Sequence, residues 1–258
     1  MQIALTIAGS DSGGGAGLQA DLKTFQRFGV FGTSVVTAVT AQNTQGVRAV
    51  HPVPADIVSA QLDALAEDLP PAALKSGMLA TAAVVEAVAD AIAGHGWRRY
   101  VLDPVLVASS GDRLLEPGAL ELVRERLVPL AHLVTPNLDE AQVLAGFPVA
   151  DLPAMERAGA ALVLAGAHAA LVTGGHLPGD ELVDVLVTPS GGHRFPHRRI
   201  ATTSTHGTGC TLSAAITAGL ALGHPLETAV FDAIQYLERA LASAPGLGRG
   251  RGPLDHSA

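Results

Sequence analysis

Four short segments of this 258-residue chain combine residue types that could do chemistry. Thr205-His206-Gly207-Thr208-Gly209-Cys210 stands immediately before an apolar helical run. Consecutive N–H groups at a helix start form an anion site, and glycines let a phosphate approach the backbone. A cysteine in the first turn lies where the helix dipole favours a thiolate. The competing reading is a small buried residue that merely opens a helix. The second segment, Gly9-Ser10-Asp11-Ser12-Gly13-Gly14-Gly15-Ala16-Gly17, follows an apolar run. It lacks the lysine that ends a P-loop, and its glycine spacing is wrong for a dinucleotide fingerprint. It is either a structural turn or a turn whose amides are free to bind something. In Thr135-Pro136-Asn137-Leu138-Asp139-Glu140-Ala141 the proline stops a strand, and Asp139 and Glu140 fall in a first helical turn. Carboxylates favour the dipole there, so capping competes with ligand binding for both. Asp103-Pro104-Val105 sets another carboxylate at a strand end, where magnesium ligation competes with turn capping.

The elements that must position these segments alternate along the chain. Ile3–Ala8, Val35–Val39, Tyr100–Leu102, Leu133–Thr135 and Ala169–Thr173 read as buried strands. Leu18/Leu22/Phe25, Val84/Val85/Val88/Ile92 and Leu120/Val123/Leu127 follow helical spacing. Thr81 suits the N-cap of the second of these helices, and Pro117 the first turn of the third. Such alternation predicts a parallel sheet covered by helices on both faces, with ligands at the carboxyl ends of its strands. Glu181–Thr188 and His193–Ile200, joined by Pro189-Ser190-Gly191-Gly192, predict an antiparallel hairpin at the sheet edge. Cys210–Leu222 and Leu226–Leu241 predict two closing helices. No linker, repeat or low-complexity run divides the sequence, so one domain over 1–258 is expected.

Hydrophobic residues make up 48% of the chain and charged residues 16%, enough for a large core. A net charge of -8, scattered along the sequence, argues against nucleic acid as a partner, and Arg249 and Arg251 are too few to reverse this. An anionic ligand would need local amides or cations. The single cysteine excludes an internal disulfide framework and a multi-thiolate metal site. No basic leader precedes Ile3, so nothing signals export. The alanine-rich stretch Ala158 to Gly175 is too weakly apolar for a membrane span. It predicts the end of a helix, a turn at Gly166 and a buried strand, and a cytoplasmic protein is expected.

Taken in order, many pieces resemble one family. They are Ala4-Leu5-Thr6-Ile7-Ala8-Gly9-Ser10-Asp11, Gly14 to Phe25, Ala41-Gln42-Asn43-Thr44, Lys75-Ser76-Gly77-Met78-Leu79 and Leu102-Asp103-Pro104-Val105. Thr135 to Ala141, Gly174-Gly175-His176, Thr205 to Ala215 and Gly248 to Pro253 complete the series. Together they resemble the hydroxymethylpyrimidine/phosphomethylpyrimidine kinases of thiamine biosynthesis, within the ribokinase-like superfamily. The resemblance implies a three-layer α/β/α sandwich with a mostly parallel central sheet and an antiparallel edge hairpin, usually dimeric. It implies ATP and magnesium, with a monovalent cation as a further candidate, and a pyrimidine alcohol and its monophosphate as substrates.

By matching position, the resemblance makes Asp21, Ala16, Gln42, Met78 and Val105 the lining of a pyrimidine pocket. Gln42 both donates and accepts, as an aminopyrimidine edge demands. The amides of Gly207, Thr208, Gly209 and Cys210 become an anion hole facing the transferred phosphoryl group. Many sugar-kinase relatives carry Asp where Cys210 stands, and the resemblance leaves Cys210 as either a base or a hydrogen-bonding partner. Asp103, Asn137 and Glu140 become a magnesium–nucleotide network, with Asp103 and Glu140 acting through water. Thr173 occupies a nucleotide-site position where several relatives have Lys, and Gly13 a position often Ser. With only Lys23 and Lys75 present, phosphate binding must rest on amides, magnesium or arginine. Two other readings remain: a pyridoxal or pyridoxine kinase, and a non-catalytic ligand-binding relative.

Overall fold

A computed structural model describes residues 1–106, 114–116, 118–175 and 177–258. The expected positions Pro117 and His176 lie outside the described residues. The strands are β1 (Ile3–Asp11), β2 (Phe31–Asn43), β3 (Gly46–Pro52), β4 (Ala73–Ser76), β5 (Tyr100–Leu102), β6 (Leu133–Val134), β7 (Ala170–Val172), β8 (Glu181–Thr188) and β9 (Gly191–Arg198). They form one sheet in the order β3-β2-β1-β4-β5-β6-β7-β8-β9. From β2 to β7 neighbours run parallel, and β3, β8 and β9 join antiparallel at the two edges.

The helices are α1 (Gly17–Arg27), α2 (Ala55–Asp68), α3 (Ala82–Gly94), α4 (Ala119–Leu122), α5 (Leu138–Ala145), α6 (Leu152–Leu164), α7 (Thr208–Ala221) and α8 (Leu226–Ala242). Thr81 caps α3 as expected, its side chain accepting from the Val84 N–H. The helix expected around Leu120/Val123/Leu127 is shorter in α form than its spacing suggests. It passes after Leu122 into a π-helical turn over Val123–Leu127 and a 3-10 turn over Val128–Leu130. Strand lengths also differ from expectation. β1 and β2 extend through Asp11 and Asn43, β6 stops at Val134, and the edge hairpin turns on Pro189 and Ser190 alone.

Both faces of the central strands are covered. Leu5, Ile7, Leu74, Tyr100 and Leu102 pack with Val58, Leu62, Val84, Val88 and Ile92 of α2 and α3 in one apolar cluster. Ala4, Ala73, Val101 and Leu133 pack against Phe25 of α1, Ile216 of α7 and Val230 of α8 in another. A third cluster joins Leu138 and Met155 of α5 and α6 to Val172 and Val185. The result is the expected α/β/α sandwich, mostly parallel with antiparallel edges. No helix among the described residues is long and apolar enough to cross a membrane. The connections leaving the carboxyl ends of β1, β2, β4, β5, β6 and β7 carry most of the residues singled out above, where a parallel sheet gathers its ligand loops.

Candidate active site

Gly207 is the N-cap of α7 and adopts φ 87°, a conformation that glycine reaches without strain. A side chain there would run into the carbonyl oxygen of Gly15, so the loop before α7 and the loop after β1 touch at backbone level. The N–H groups of Thr208, Gly209 and Cys210 open the helix. None of these three has an acceptor among the described residues. They form the free-amide helix start expected from the sequence, and the positive end of the α7 dipole adds to it.

The glycine-rich loop after β1 behaves differently from its open reading. The Asp11 carboxylate accepts from the N–H groups of Gly13 (2.7 Å), Gly15 (3.0 Å) and Ala16 (2.9 Å), and the Asp11 carbonyl accepts from Gly14 N–H (2.9 Å). Four consecutive amides are therefore committed inside the turn, which is structural. Gly17, at φ 55°, brings the backbone against Gly9, where any side chain would clash. Lys23 closes the loop from outside by donating to the Gly14 carbonyl at 2.7 Å. The chain's last residues strap the same region: His206 N–H donates to Gly252 O, and Arg251 N–H to Thr44 O.

Beneath the α7 start lies a buried charge cluster that local sequence reading misses. Lys75, on β4, has no exposed surface; its Nζ is 2.9 Å from Asp21 Oδ1 and 3.6 Å from Asp103 Oδ2. It also donates to the Cys210 carbonyl at 3.4 Å. Burial alone would lower the lysine's pKa, but the charges of Asp21 and Asp103 and the hydrogen bond to Asp21 raise it, so the ammonium is retained. Burial raises the pKa of Asp21, opposed by Lys75 and by the 2.6 Å hydrogen bond from Thr6 Oγ1. An ammonium at hydrogen-bond distance decides between these in favour of the ion pair. Asp21 is 0% exposed, so its carboxylate reaches the site through Lys75 and presents no surface to a pocket.

Cys210 is half-buried beside this cluster. Burial pushes its thiol up to about 12; Lys75 and the Gly17 N–H pull it down, while Asp103 and Asp21 push it further up. Loss of solvation favours the neutral thiol, against the pull of the helix dipole that the sequence suggested.

Asp103, at the end of β5, is nearly buried and accepts from Ser213 Oγ at 3.0 Å. Asn137 caps α5 in a full capping box: its side chain accepts from Glu140 N–H, and Glu140 Oε2 accepts from Asn137 N–H, both at 3.0 Å. Asn137 also bridges to Thr173 of the neighbouring strand end, so the two expected nucleotide-site positions are adjacent. Burial and the charge of Asp103 raise Glu140 to about 8, although the Asn137 and Leu106 amides oppose this. The two carboxyl groups, both nearly buried and electrostatically coupled, are oxygen donors of the kind magnesium takes, and magnesium keeps much of its water. Among the described residues no group of three or more His, Cys, Asp or Glu side chains gathers to hold a metal directly.

Met78 and Val105 meet as expected, packing with Ala38, Ala80 and Leu114 in a small apolar cluster below Gly9. Ala16 is the N-cap of α1, and its backbone lies against Gly207. Gln42 lies near the end of β2 with its amide between Thr40 Oγ1 (3.2 Å) and His206 Nε2 (3.3 Å). A cavity of about 340 Å³, lined by Val50, Pro52, Ala80, Thr81 and Leu114–Glu116, shares Ala80 and Leu114 with that apolar cluster. Neither this cavity nor a hollow against the β8–β9 turn is lined by any of the candidate site residues.

Of the residues gathered here, Thr6, Asp11, His206 and Ser213 escaped individual notice, and Lys75 was singled out only as one of two lysines. Only a polar residue inside an otherwise apolar strand, as at Thr6, signals a buried partner.

The model of the phosphomethylpyrimidine kinase family matches residues 11–255. A hydroxymethylpyrimidine/phosphomethylpyrimidine kinase of Rhizobium meliloti is 54% identical, the match covering 98% of this chain and 96% of that protein. Among solved structures, the ADP complex of a Bacillus subtilis pyridoxal kinase superposes with a TM-score of 0.93 at 38% identity, covering 100% of this chain and 98% of that one. A Clostridium difficile phosphomethylpyrimidine kinase superposes with a TM-score of 0.84 at 40% identity, covering 93% and 99%. With a free-amide helix start set over a buried lysine and paired carboxylates, and with a family match over nearly its whole length, the chain belongs to the phosphomethylpyrimidine kinase family and is a phosphotransferase.

Proposed function

We propose that the chain transfers a phosphoryl group from ATP to the alcohol of hydroxymethylpyrimidine, and a second to the resulting monophosphate, in thiamine biosynthesis. In this reading it works in the cytoplasm as a homodimer, with 1–258 forming one kinase domain. The observation that carries the proposal is the set of uncommitted amides of Thr208, Gly209 and Cys210 beside Lys75 and Asp103.

These amides donate to the oxygens of the phosphoryl group in flight, where negative charge is spread. The transition state of such transfers is loose, so alignment contributes more than prior deprotonation of the alcohol. A Cys210 thiol that orients the hydroxyl is consistent with that demand. Met78 and Val105 supply an apolar wall for the ring, Gln42 a donor and acceptor for its edge, and Ala16 the facing loop. Asn137 and Thr173 flank the nucleotide, and Asp103 and Glu140 would hold magnesium through water, which supplies charge neutralisation for the phosphates when bound.

The test is product analysis with ATP, magnesium and hydroxymethylpyrimidine, following mono- and diphosphate separately. Both products are expected; their absence overturns the proposal. A second reading, a pyridoxal kinase, draws support from the close superposition on the Bacillus subtilis pyridoxal kinase. Steady-state kinetics with pyridoxal and pyridoxine in parallel decide between them by the larger kcat/KM.

A further inference from the structure

The hydrogen bonds around Gln42 cannot all be made with its amide oxygen towards Thr40 and its nitrogen towards His206. Thr40 has one hydroxyl proton, and the Ser10 carbonyl already accepts it at 2.9 Å. That hydroxyl therefore cannot also donate to Gln42 Oε1 at 3.2 Å. On the other side, His206 Nε2 is 2.8 Å from Asp11 Oδ2 and 3.3 Å from Gln42 Nε2.

Asp11 is an acceptor only. Burial would raise its pKa, but the His206 hydrogen bond and the Gly13 and Ala16 amides outweigh burial and lower it. An imidazole lone pair facing this carboxylate at 2.8 Å would be repelled, so His206 Nε2 carries a proton and donates. A nitrogen that donates cannot also accept from the Gln42 NH2 group. Turning the amide by half a revolution relieves both conflicts. The NH2 group no longer faces the Nε2–H donor and instead donates to the free lone pair of Thr40 Oγ1, while Oε1 faces the positive edge of the imidazole, whose Nε2–H stays bonded to Asp11.

We propose that His206, anchored by Asp11, is a positioning residue that fixes the Gln42 amide with its oxygen towards the imidazole and its NH2 group towards Thr40. The order of donor and acceptor offered to a substrate's ring edge is set by that choice. His206 itself is held firmly: it is 8% exposed, and its backbone is tied to Gly252 of the C-terminal strap. An aminopyrimidine presents a ring-nitrogen acceptor beside an exocyclic donor, and a fixed amide satisfies both. A pyridine alcohol lacking that pair leaves one Gln42 group unmatched, which is a strong means of discrimination.

This inference rests on the pocket assignment above, and its test separates the two. In protein labelled with 15N, long-range histidine spectra are expected to show His206 protonated at Nε2, with Overhauser contacts from the Gln42 NH2 protons to the Thr40 side chain. A proton on Nδ1 alone, or contacts from that NH2 group to the His206 ring instead, overturns the proposal whatever the substrate is. In kinetics, His206→Phe is expected to raise KM for hydroxymethylpyrimidine about tenfold and to lower its selectivity over pyridoxine, with kcat and the ATP KM within about threefold. His206→Gln, whose Nε2 can take the place of the imidazole Nε2, restores KM. In a Gln42→Ala background His206→Phe adds nothing further. Additive effects, or a loss confined to kcat, overturn the positioning role. A wild-type protein inactive on the pyrimidine defeats the functional reading, while the spectra still decide the orientation.

Discussion

Lys75 and Asp21 form an ion pair at 2.9 Å in which neither side chain has any exposed surface. Asp103, 3.6 Å from the same ammonium, depends on it too, so one buried cation balances two carboxylates on two other elements. Removing one partner of such an arrangement is expensive, because the remaining charges are left in a medium that solvates them poorly. Lys75→Met is expected to lower unfolding free energy by about 3–5 kcal/mol, read from denaturant titration. The double variant Lys75→Met/Asp21→Leu should recover part of the loss, since it removes one stranded charge. A single variant as stable as wild type would show that the pair contributes no net stabilisation.

Gly207 carries a prediction of another kind. Its φ of 87° and its approach to the Gly15 carbonyl leave no space for a methyl group. Gly207→Ala must push the α7 start away from the β1 loop, moving the free amides that the phosphoryl group requires. Displacements of about 1 Å at such a site can cost on the order of a hundredfold in rate. The expected outcome is a kcat at least about a hundredfold lower with a folded protein by circular dichroism. Gly175→Ala, where no described atom lies within 4 Å of the added methyl group, serves as the control for a simple glycine effect.

What was legible in the sequence followed local rules. The buried runs of β5 and β7, the edge hairpin and the Thr81 cap each declare themselves within a few residues. β4 does not, because two of its four residues are Lys75 and Ser76, and both are buried. β3 is an exposed edge strand, so it lacks the apolar run of a buried one. In the site, the free amides at Thr208–Cys210 follow from helix geometry and were foreseen. The committed amides of the Gly13–Ala16 turn were not, although an aspartate opening an Asp-Ser-Gly-Gly run is a known turn former whose side chain bonds nearby amides. Long-range pairs were beyond reach: Lys75 with Asp21 and Asp11 with His206 are joined only by the sheet and by the return of the chain end.

The thiol of Cys210, pushed up to about 12, makes a poor nucleophile at neutral pH. Alkylation by iodoacetamide should be slow at about pH 7 and should rise with pH without levelling off below about pH 9. A plateau near neutral pH would instead reveal a thiolate. Loss of an oriented hydrogen-bonding partner still slows the reaction: Cys210→Ala is expected to lower kcat by about 10- to 100-fold while the ATP KM changes less than about threefold. Unchanged turnover in that variant would remove the side chain from the mechanism and leave the backbone amides alone.

Glu140 gives the protein a pH dependence whose sign can be worked out. Its carboxyl, nearly buried near Asp103, is raised to about 8 from an ordinary value of 4.5. Between those two values the folded protein holds a proton that the unfolded chain has released. Stability therefore falls as pH rises through this window, by at most about 1.4 kcal/mol per pH unit from this group. Below the window both states are protonated, and above it both are ionised, so the group's contribution levels off at either end. Glu140→Gln keeps an acceptor for the Asn137 N–H and so preserves the capping box, but it has no charge to bury. In metal-free buffer its Tm should match that of wild type near pH 4.5 and exceed it increasingly up to about pH 8. A gap that stays constant across that range would mean that Glu140 titrates like an exposed carboxylate.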